Sequence, residues 1–570
     1  MIKINEQAMK NYLFTVLLLV TVAAISDAFY SDLQRTNNEK MMLEYFERQE
    51  KNTLGKTPAE KNLMDYFMLR DLDTNLVPFE RLAEAEEQAK ESRKLYQRSS
   101  TTLTWESMGP STIGGRTRAI MMDPNDATGK GMWLGSVSGG LWYTDDIFSD
   151  TYTMTRIDND WDNISITALA YDPNDTNILY AGGGERIGHG YPGVGIWKST
   201  DGGTNWSLLS ATSSFRYIED IVVRNENGIS AIYVTQERNS FGPAATGSGV
   251  GGTAFGSGAE GIVKSTDGGL SWSSTGVQWV NSEYLQYGDL HIDANNRLWA
   301  GGINGAYSNS SEGGFLYYTD DGSNWSKSNF DTSVIGSLTN LDRVLIKMAS
   351  SNSAIGYAMI SSGTLVVSFQ KTTDSGANWT DMIANAPTND DTYPGKNFGC
   401  NQAHYDLSLE ISPTNPDIVY MGCLEVYRSL DGGSSFSVIN QWQPPEYGAS
   451  ADTYMHADHH NLIAISSDSL IFANDGGISI GTNSSQASPT FKTRINNYNV
   501  GQFYHATIHP EAGKKYALGG TQDNGSWKVD LDNNLSFMST GGDGAFTGID
   551  KVNSEYQMQA YIYDQFYISN

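Results

Sequence analysis

The sequence predicts an all-β protein, a multi-bladed β-propeller of four-stranded antiparallel blades preceded by a short helical N-terminal segment. Three observations carry that prediction. A hairpin phrase, KSTDGGTNW at 198–206, returns as KSTDGGLSW (264–272), YTDDGSNW (318–325), KTTDSGANW (371–379) and RSLDGGSSF (428–436). Strand-like starts recur every roughly 45–70 residues with four short strands to each interval, the period of propeller blades rather than of separate domains. Glycine supplies 59 of 570 residues and hydrophobic residues 39%, the balance of a folded chain rich in turns.

Taken in order, the chain opens with Lys3 and Lys10, the apolar run LFTVLLLVTVAAI (13–25) and the small residues SDA (26–28). That pattern reads as a signal peptide over 1–28 cleaved after Ala28, and so as an exported protein: extracellular, cell-surface or periplasmic. The competing reading, an uncleaved anchor, has a run short for a bilayer. Residues 29–100 read as a helical pro-segment or stalk, since FERLAEAEEQAKESRKLY (79–96) follows Pro78 and contains no glycine. The propeller region is expected over 101–570. One blade illustrates it: ITALAYDPNDTN (166–177), ILYAGG (178–183), GIWKST (195–200) and WSLLS (206–210) are four strands divided by turn signals. Similar starts at 117, 217, 288, 343, 405, 460, 503 and 545 bring the count to nine units. The last stops at Asn570 before its hairpin is due, so the chain is expected to be truncated within a blade.

Lys and Arg number 37 against 65 Asp and Glu, a formal charge of −28. Such a surface repels phosphate backbones and anionic membranes, which argues against nucleic acid as a partner. No run of 18 apolar residues occurs, so no membrane span is expected in the mature chain, and a monomer is expected. Cys400 and Cys423 are candidates for a disulfide in an oxidising compartment; two cysteines alone make no zinc site.

The repeated hairpin is read as a structural staple. Its aspartates (Asp201, Asp267, Asp320, Asp374, Asp431) can accept backbone N–H groups inside a tight turn, its glycines supply positive φ, and its aromatic packs between sheets. In an antiparallel blade the third-to-fourth turn shares a rim with the first-to-second turn. Starts of inner strands and second-to-third turns lie on the other rim. That opposite rim collects the unusual polar phrases: GGRTRA (114–119), SVSGG (136–140), GGGERIGHG (182–190), QAHYD (402–406), HADHH (456–460), NDGG (474–477), TQDNG (521–525) and GGDG (541–544). The candidate ligand face is therefore Arg116, Arg118, Glu185, Arg186, His404, Asp406, His456, Asp458, His460, Asp475, Gln522, Asp523 and Asp543.

Strand alternation would put His456, Asp458 and His460 on one side, as metal candidates set against a hydrogen-bonded network between blades. No cofactor is expected. The NDGG and TQDNG turns carry oxygens that calcium or another metal could use, but neither follows EF-hand spacing. GGGERIG lies between strands with no helix behind it and is no dinucleotide fingerprint.

The hairpin Ser/Thr-x-Asp-x-Gly-x-x-Trp resembles the Asp-box (BNR-type) repeat. The run GGRTRAI, GSVSGGLW, QAHYDLSLEISPTNPDIVYMG, HADHHNL, NDGGI, QFYHA, GGTQDNG and GGDG is similar to secreted Bacteroidetes-type propellers of the sortilin N-terminal-like group. The resemblance covers roughly 105–570 and implies an exported propeller, ten-bladed if the sortilin comparison holds. Sialidases and xyloglucan-cleaving hydrolases share the box. A sialidase needs three arginines on the substrate carboxylate, and Arg116, Arg118, Arg186 and Arg238 are near the face, but the Arg-Ile-Pro phrase is absent. A xyloglucanase-like enzyme needs two carboxylates, and its usual first-blade TD-x-GG turn is replaced here by Ser136-Val137-Ser138-Gly139-Gly140. Glu185, Asp406, Asp475 and Asp523 remain as candidate acids, with nothing in the sequence to select a pair.

The functional expectation is recognition of an extracellular protein or polysaccharide on the face opposite the boxes. The alternative is a polysaccharide-acting glycoside hydrolase using carboxylates on that face. Geometry separates the two: two carboxylates about 5–10 Å apart, open to an aromatic-walled groove, favour catalysis, and a closed, mutually bonded polar ring favours binding or structure.

Overall fold

The computed structural model describes residues 109–569 except 158–160, 162–164, 186–190, 238, 242–252, 256–260, 278, 281–282, 285, 304–314, 334–340, 387–397, 399–401, 444–449, 534 and 563–564. Before residue 109 it describes only Lys40, Asp71, Arg81, Ala85, Gln88, Glu91 and Ser92. The signal-peptide reading and nearly all of the helical-segment reading fall outside the described residues, as do Arg186 and Cys400. The chain divides into two compact units, one of 1–100 with 240–254 and the other of 101–239 with 255–570. In the first, Arg81 pairs with Asp71 at 2.8 Å. The second holds everything that follows.

Among the described residues, eight four-stranded antiparallel sheets and one three-stranded sheet succeed one another along the chain, matching the nine units counted in the sequence. Their innermost strands are Thr117–Met122 (blade I), Ile166–Asp172 (II), Tyr217–Glu226 (III), Gln286–Ile292 (IV), Val344–Met348 (V), Ser408–Ile411 (VI), His459–Ala464 (VII), Phe503–Ile508 (VIII) and Gly544–Ile549 (IX). Burial follows from layering. A second strand such as Met132–Ser136 is sandwiched by blades on both sides and buried throughout, whereas outermost strands such as Thr155–Arg156 are two exposed residues.

Seven hydrophobic clusters show how the blades close. Trp133, Leu141, Leu179 and Trp206 join blades I and II. Tyr180, Ile218 and Val234 join II and III, and Tyr233, Leu298 and Phe315 join III and IV. Trp299, Ile346 and Trp379 bridge IV and V; Phe369, Phe398 and Met421 bridge V and VI; Tyr420, Leu462 and Phe472 bridge VI and VII. The seventh, with Leu134, Trp142, Ile471 and Tyr498, joins VII back to I. Blades I–VII are therefore a closed ring, not part of a ten-bladed disc, because each boundary already has its apolar partner. At the seam Arg494 Nε donates to Ile147 O at 2.8 Å and the Thr117 and Tyr498 hydroxyls lie 3.0 Å apart. A Cβ on Gly114 would fall 1.9 Å from Gly476 O, so only glycine lets the two loops meet.

The seven inner strands surround a channel of about 350 Å³ lined by charged residues including Arg118, Asp220, Asp289 and Lys347. Its carboxylates cross blade boundaries: Asp220 Oδ2 accepts the Leu290 N–H at 2.9 Å and Asp289 Oδ2 the Ile346 N–H at 2.7 Å.

Blades VIII and IX lie outside the ring and pack on each other through Tyr516, Leu518 and Ile549. Blade VIII is fastened to the ring by polar contacts: Arg116 Nη2 donates to Gln502 Oε1 (3.1 Å) and Gln522 Oε1 (3.3 Å), and Asn524 Nδ2 to Asp475 O (2.9 Å).

The repeated hairpins join third and fourth strands. In the first, Ser199 Oγ donates to Asp201 Oδ1 and accepts from Gly203 N, Asp201 Oδ1 accepts from Asn205 N, and Trp206 Nε1 closes onto Gly203 O. Gly202 N–H reaches Asn177 O and Asn125 Nδ2 reaches Thr176 O, so hairpins and first-to-second turns do share a rim. One assignment needs correction. In YTDDGSNW the turn is gathered by Asp321, which accepts from Ser323 N (2.9 Å) and Asn324 N (2.7 Å) and takes Thr319 Oγ1 at 3.3 Å. Asp320 instead pairs with Arg297 Nε at 2.6 Å. This hairpin is one residue shorter between Thr and Gly, so counting back from Trp325 selects the wrong aspartate.

Candidate functional site

Two layers meet on the rim away from these hairpins. The inner layer is a buried ionic network in which the starts of inner strands supply Arg116, Arg118, Tyr405 and His460, and second-to-third turns supply Glu185 and Asp475. Arg116 and Arg118 share Glu185 Oε1, at 3.1 and 2.5 Å. Arg116 Nη1 also donates to the Tyr405 hydroxyl, which in turn donates to Asp475 Oδ2 at 2.6 Å. His460 Nε2 lies 2.7 Å from Asp475 Oδ1, and its ring stands edge-on to Tyr405 with centroids 5.0 Å apart. Side chains of Arg116, Glu185 and Asp475 are each 1% exposed.

Burial fixes the charges here. It opposes the charge of Arg116, but Glu185, Asp475 and Tyr405 outweigh it and keep the guanidinium ionised. Burial also works against ionised Asp475, yet His460, Arg116 and the hydroxyl of Tyr405 hold that carboxyl well below the usual carboxylate range. Burial, helped by the Arg118 charge, pushes His460 down to about 3, so at neutral pH it is an uncharged donor to Asp475. The Tyr405 phenol is raised by burial and by Asp475, which keeps it protonated.

The outer layer is a groove of about 440 Å³ between blades VI and VII and blades VIII and IX. Trp442, Tyr454, Trp527 and Tyr561 form its aromatic walls, and Asp458, Asp523 and Asp543 open into it. Gln402 Nε2 donates to Asp458 Oδ1 at 2.6 Å and to Asp406 Oδ2 at 3.1 Å. Asp523 is held through its backbone: its N–H goes to Asp543 Oδ1 (2.9 Å), and His456 Nε2 lies 3.0 Å from its carbonyl. Both Asp458 and Asp523 occupy the left-handed region, at φ +66 and +57. Oxygens of Asp458, Asp475 and Asp523 lie within 4.8 Å of one another. Burial first, then Asp475, raise Asp458 to about 6. Burial, Asp475, Asp543 and Asp458 together push Asp523 far above the carboxylate range.

The structure thus gathers Arg116, Arg118, Glu185, His460, Asp475 and Gln522 in the network, and His456, Asp458, Asp523 and Asp543 at the groove. Asp406 is buried beside Gln402. His404 is exposed on the turn preceding Asp406 and lines neither layer. The HADHH phrase departs from expectation. Its strand starts only at His459, Asp458 has positive φ, and the register slips between His459 and Asn461. His456 faces the carbonyls of Ala457 and Asp523, His460 faces Asp475, and Asp458 faces the groove, so these three do not converge on one ion. Sequence reasoning missed Tyr405, Gln402, Gln502 and the aromatic walls. Tyr405 and Trp527 lie in or beside quoted phrases, but an aromatic near a blade reads first as core.

No protein-family model matches the chain. A xyloglucanase from a Paenibacillus species is 29% identical over 274 residues, covering 44% of this chain and 23% of that protein. Xyloglucanase Xgh74A of Acetivibrio thermocellus is 34% identical over 143 residues, 21% of this chain and 15% of that protein. The chain thus spans less than a quarter of the curated relatives it matches. Among solved structures it resembles the GH74 xyloglucanase of Xanthomonas campestris (TM-score 0.55, 15% identity, 80% of this chain and 65% of that one). It also resembles the GH74 enzyme of Niastella koreensis (TM-score 0.52, 16% identity, 80% and 65%). At these identities the likeness is one of fold: a many-bladed β-propeller chain.

Proposed function

We propose that this chain is a polysaccharide-acting glycoside hydrolase whose groove takes a glucan chain of the xyloglucan kind. The observation that carries the reading is the groove itself, where aromatic walls and carboxylates of opposed protonation occur together. Glycoside cleavage needs a proton for the leaving oxygen and a second, ionised carboxylate to activate water or meet the sugar cation. Asp523, kept protonated by its neighbours, is the donor. Asp458, largely ionised at neutral pH and oriented by Gln402, is the partner. Trp442 and Trp527 offer flat apolar faces on which sugar rings stack. The similarity to xyloglucanases supports the substrate class, and a leader over 1–28 would bring the protein to a polysaccharide outside the cell.

Reducing ends released from xyloglucan test this. The wild type should release them, and Asp523→Asn and Asp458→Asn should each cut the rate by about 10²–10⁴-fold while still binding the polysaccharide. Binding without release by the wild type would return the reading to recognition alone.

A further inference from the structure

Asp475 is the member of the carboxylate trio that does not line the groove. Its side chain is 1% exposed and its two oxygens are taken by separate donors, Tyr405 on Oδ2 at 2.6 Å and His460 on Oδ1 at 2.7 Å. Arg116 Nη1 stands 4.0 Å from Oδ2, and Asn524, next to Asp523, ties the Asp475 carbonyl to blade VIII. An anion locked this way cannot swing off or take up a proton to relieve its neighbour. Its neighbour is Asp523, with oxygens inside 4.8 Å.

We propose that Asp475 is a positioning residue for the hydrolysis: a fixed carboxylate that keeps the Asp523 proton in place at the edge of the groove. The proposal rests on the hydrolase reading above. A like charge held within about 4–6 Å makes a second carboxyl retain its proton, the more so where water is scarce. The other groups that could set that proton are each accounted for. Arg116 and Arg118 both bond Glu185 Oε1, and Arg116 reaches Asp475 only at 4.0 Å. His456 faces a carbonyl of Asp523 rather than its carboxyl. Asp406 and Asp458 share Gln402, and Asp543 is turned to the Asp523 backbone. Tyr504, from the inner strand of blade VIII, is a phenol raised by burial and by Asp543 and Asp523, and stays uncharged. Asp458 and Asp543 add to the negative charge beside the donor, and Asp475 is the carboxylate of the three that is buried away from the groove and locked by its own donors.

Two readouts test it. In kcat/KM against pH on xyloglucan, the alkaline limb reports loss of the donor proton. Asp475→Asn removes the like charge, so Asp523 should lose its proton at lower pH and the limb should move down by about one to three units. KM should change less than kcat, and Asp475→Glu, which keeps the charge, should leave the limb near its original position. An unmoved limb in Asp475→Asn, or an equal shift in Asp475→Glu, overturns the proposal. The second readout needs no turnover: the infrared carbonyl band of a protonated carboxylic acid in the intact protein. Asp220, raised to about 7 by burial and by Asp289, contributes to that band as well, so the reading is a difference: at pH 7 the band should be stronger in the wild type than in Asp523→Asn, and in Asp475→Asn that extra intensity should be confined to lower pH. If Asp475→Asn does not fold, the wild type and Asp523→Asn still decide, since no such difference at pH 7 overturns the proposal. A wild type that shows the extra intensity but cleaves nothing sinks the hydrolase reading and leaves the proton arrangement standing.

Discussion

At the scale of single residues, the hairpin glycines divide into those that need only their backbone angle and those that also need the space. Gly203 has φ +87, and a Cβ there would lie 2.1 Å from the Trp133 ring of the preceding blade; Gly268 has φ +76, with only the end of Lys198 nearby at 3.1 Å. Gly203→Ala should cost about 3 kcal/mol and Gly268→Ala about 1 kcal/mol, read from denaturant midpoints. Asp321→Ala should lower the melting temperature more than Asp320→Ala, because Asp321 gathers the turn while Asp320 makes an outward ion pair. His459 supplies a pH test. It is fully buried with neither ring nitrogen hydrogen-bonded, and burial, then His460 and His456, lower it to about 3. The unfolded chain takes up that proton near 6.5 while the folded chain does not. Stability is therefore full above about pH 6.5 and lost as pH falls toward 3, by about 1.4 kcal/mol per unit for this group. His459→Leu should remove about 2 kcal/mol of the loss between pH 6.5 and 5, measured by unfolding at both pH values.

At the scale of elements, what was legible in the sequence was what is local. Each of the five hairpins carries its own hydroxyl, carboxylate, glycine and aromatic within eight or nine residues, and the recurring strand starts bring the count to nine units without coordinates. The rim assignment also needs only antiparallel order within a blade, which is why Arg116, Glu185, Asp475 and Asp523 could be expected together. Two things were not local. Alternation through HADHH assumed a strand where Asp458 turns to positive φ, a backbone choice made by the loop's packing and not by its letters. Ring closure depends on which blade meets blade I. Both Tyr498 against Trp142 and the Gly114–Gly476 approach join residues more than 350 apart in sequence. The seam should be correspondingly sensitive: Gly114→Ala forces a Cβ onto Gly476 O and should destabilise by more than 3 kcal/mol in the same denaturant assay.

At the scale of the whole molecule, a seven-bladed ring and two further blades meet along an edge where the polar phrases of both converge. The ring's contribution is the buried network that holds Asp475, and its groove wall carries Asp458. Blade VIII contributes Asp523 and blade IX Asp543, so neither part has the groove alone. Leaving one partner of such a buried ionic network uncompensated costs about 3–5 kcal/mol, and Arg116 touches Glu185, Tyr405, Gln502 and Gln522 together, so its removal should loosen the network and the fastening of blade VIII at once. The most direct measurement is a crystal structure of Asp523→Asn with a xyloglucan oligosaccharide. The sugar should lie in the groove with rings on Trp442 and Trp527 and a glycosidic oxygen within hydrogen-bond distance of the side chain at 523. An oligosaccharide seated on the hairpin rim or the blade circumference, with the groove bare, would contradict it.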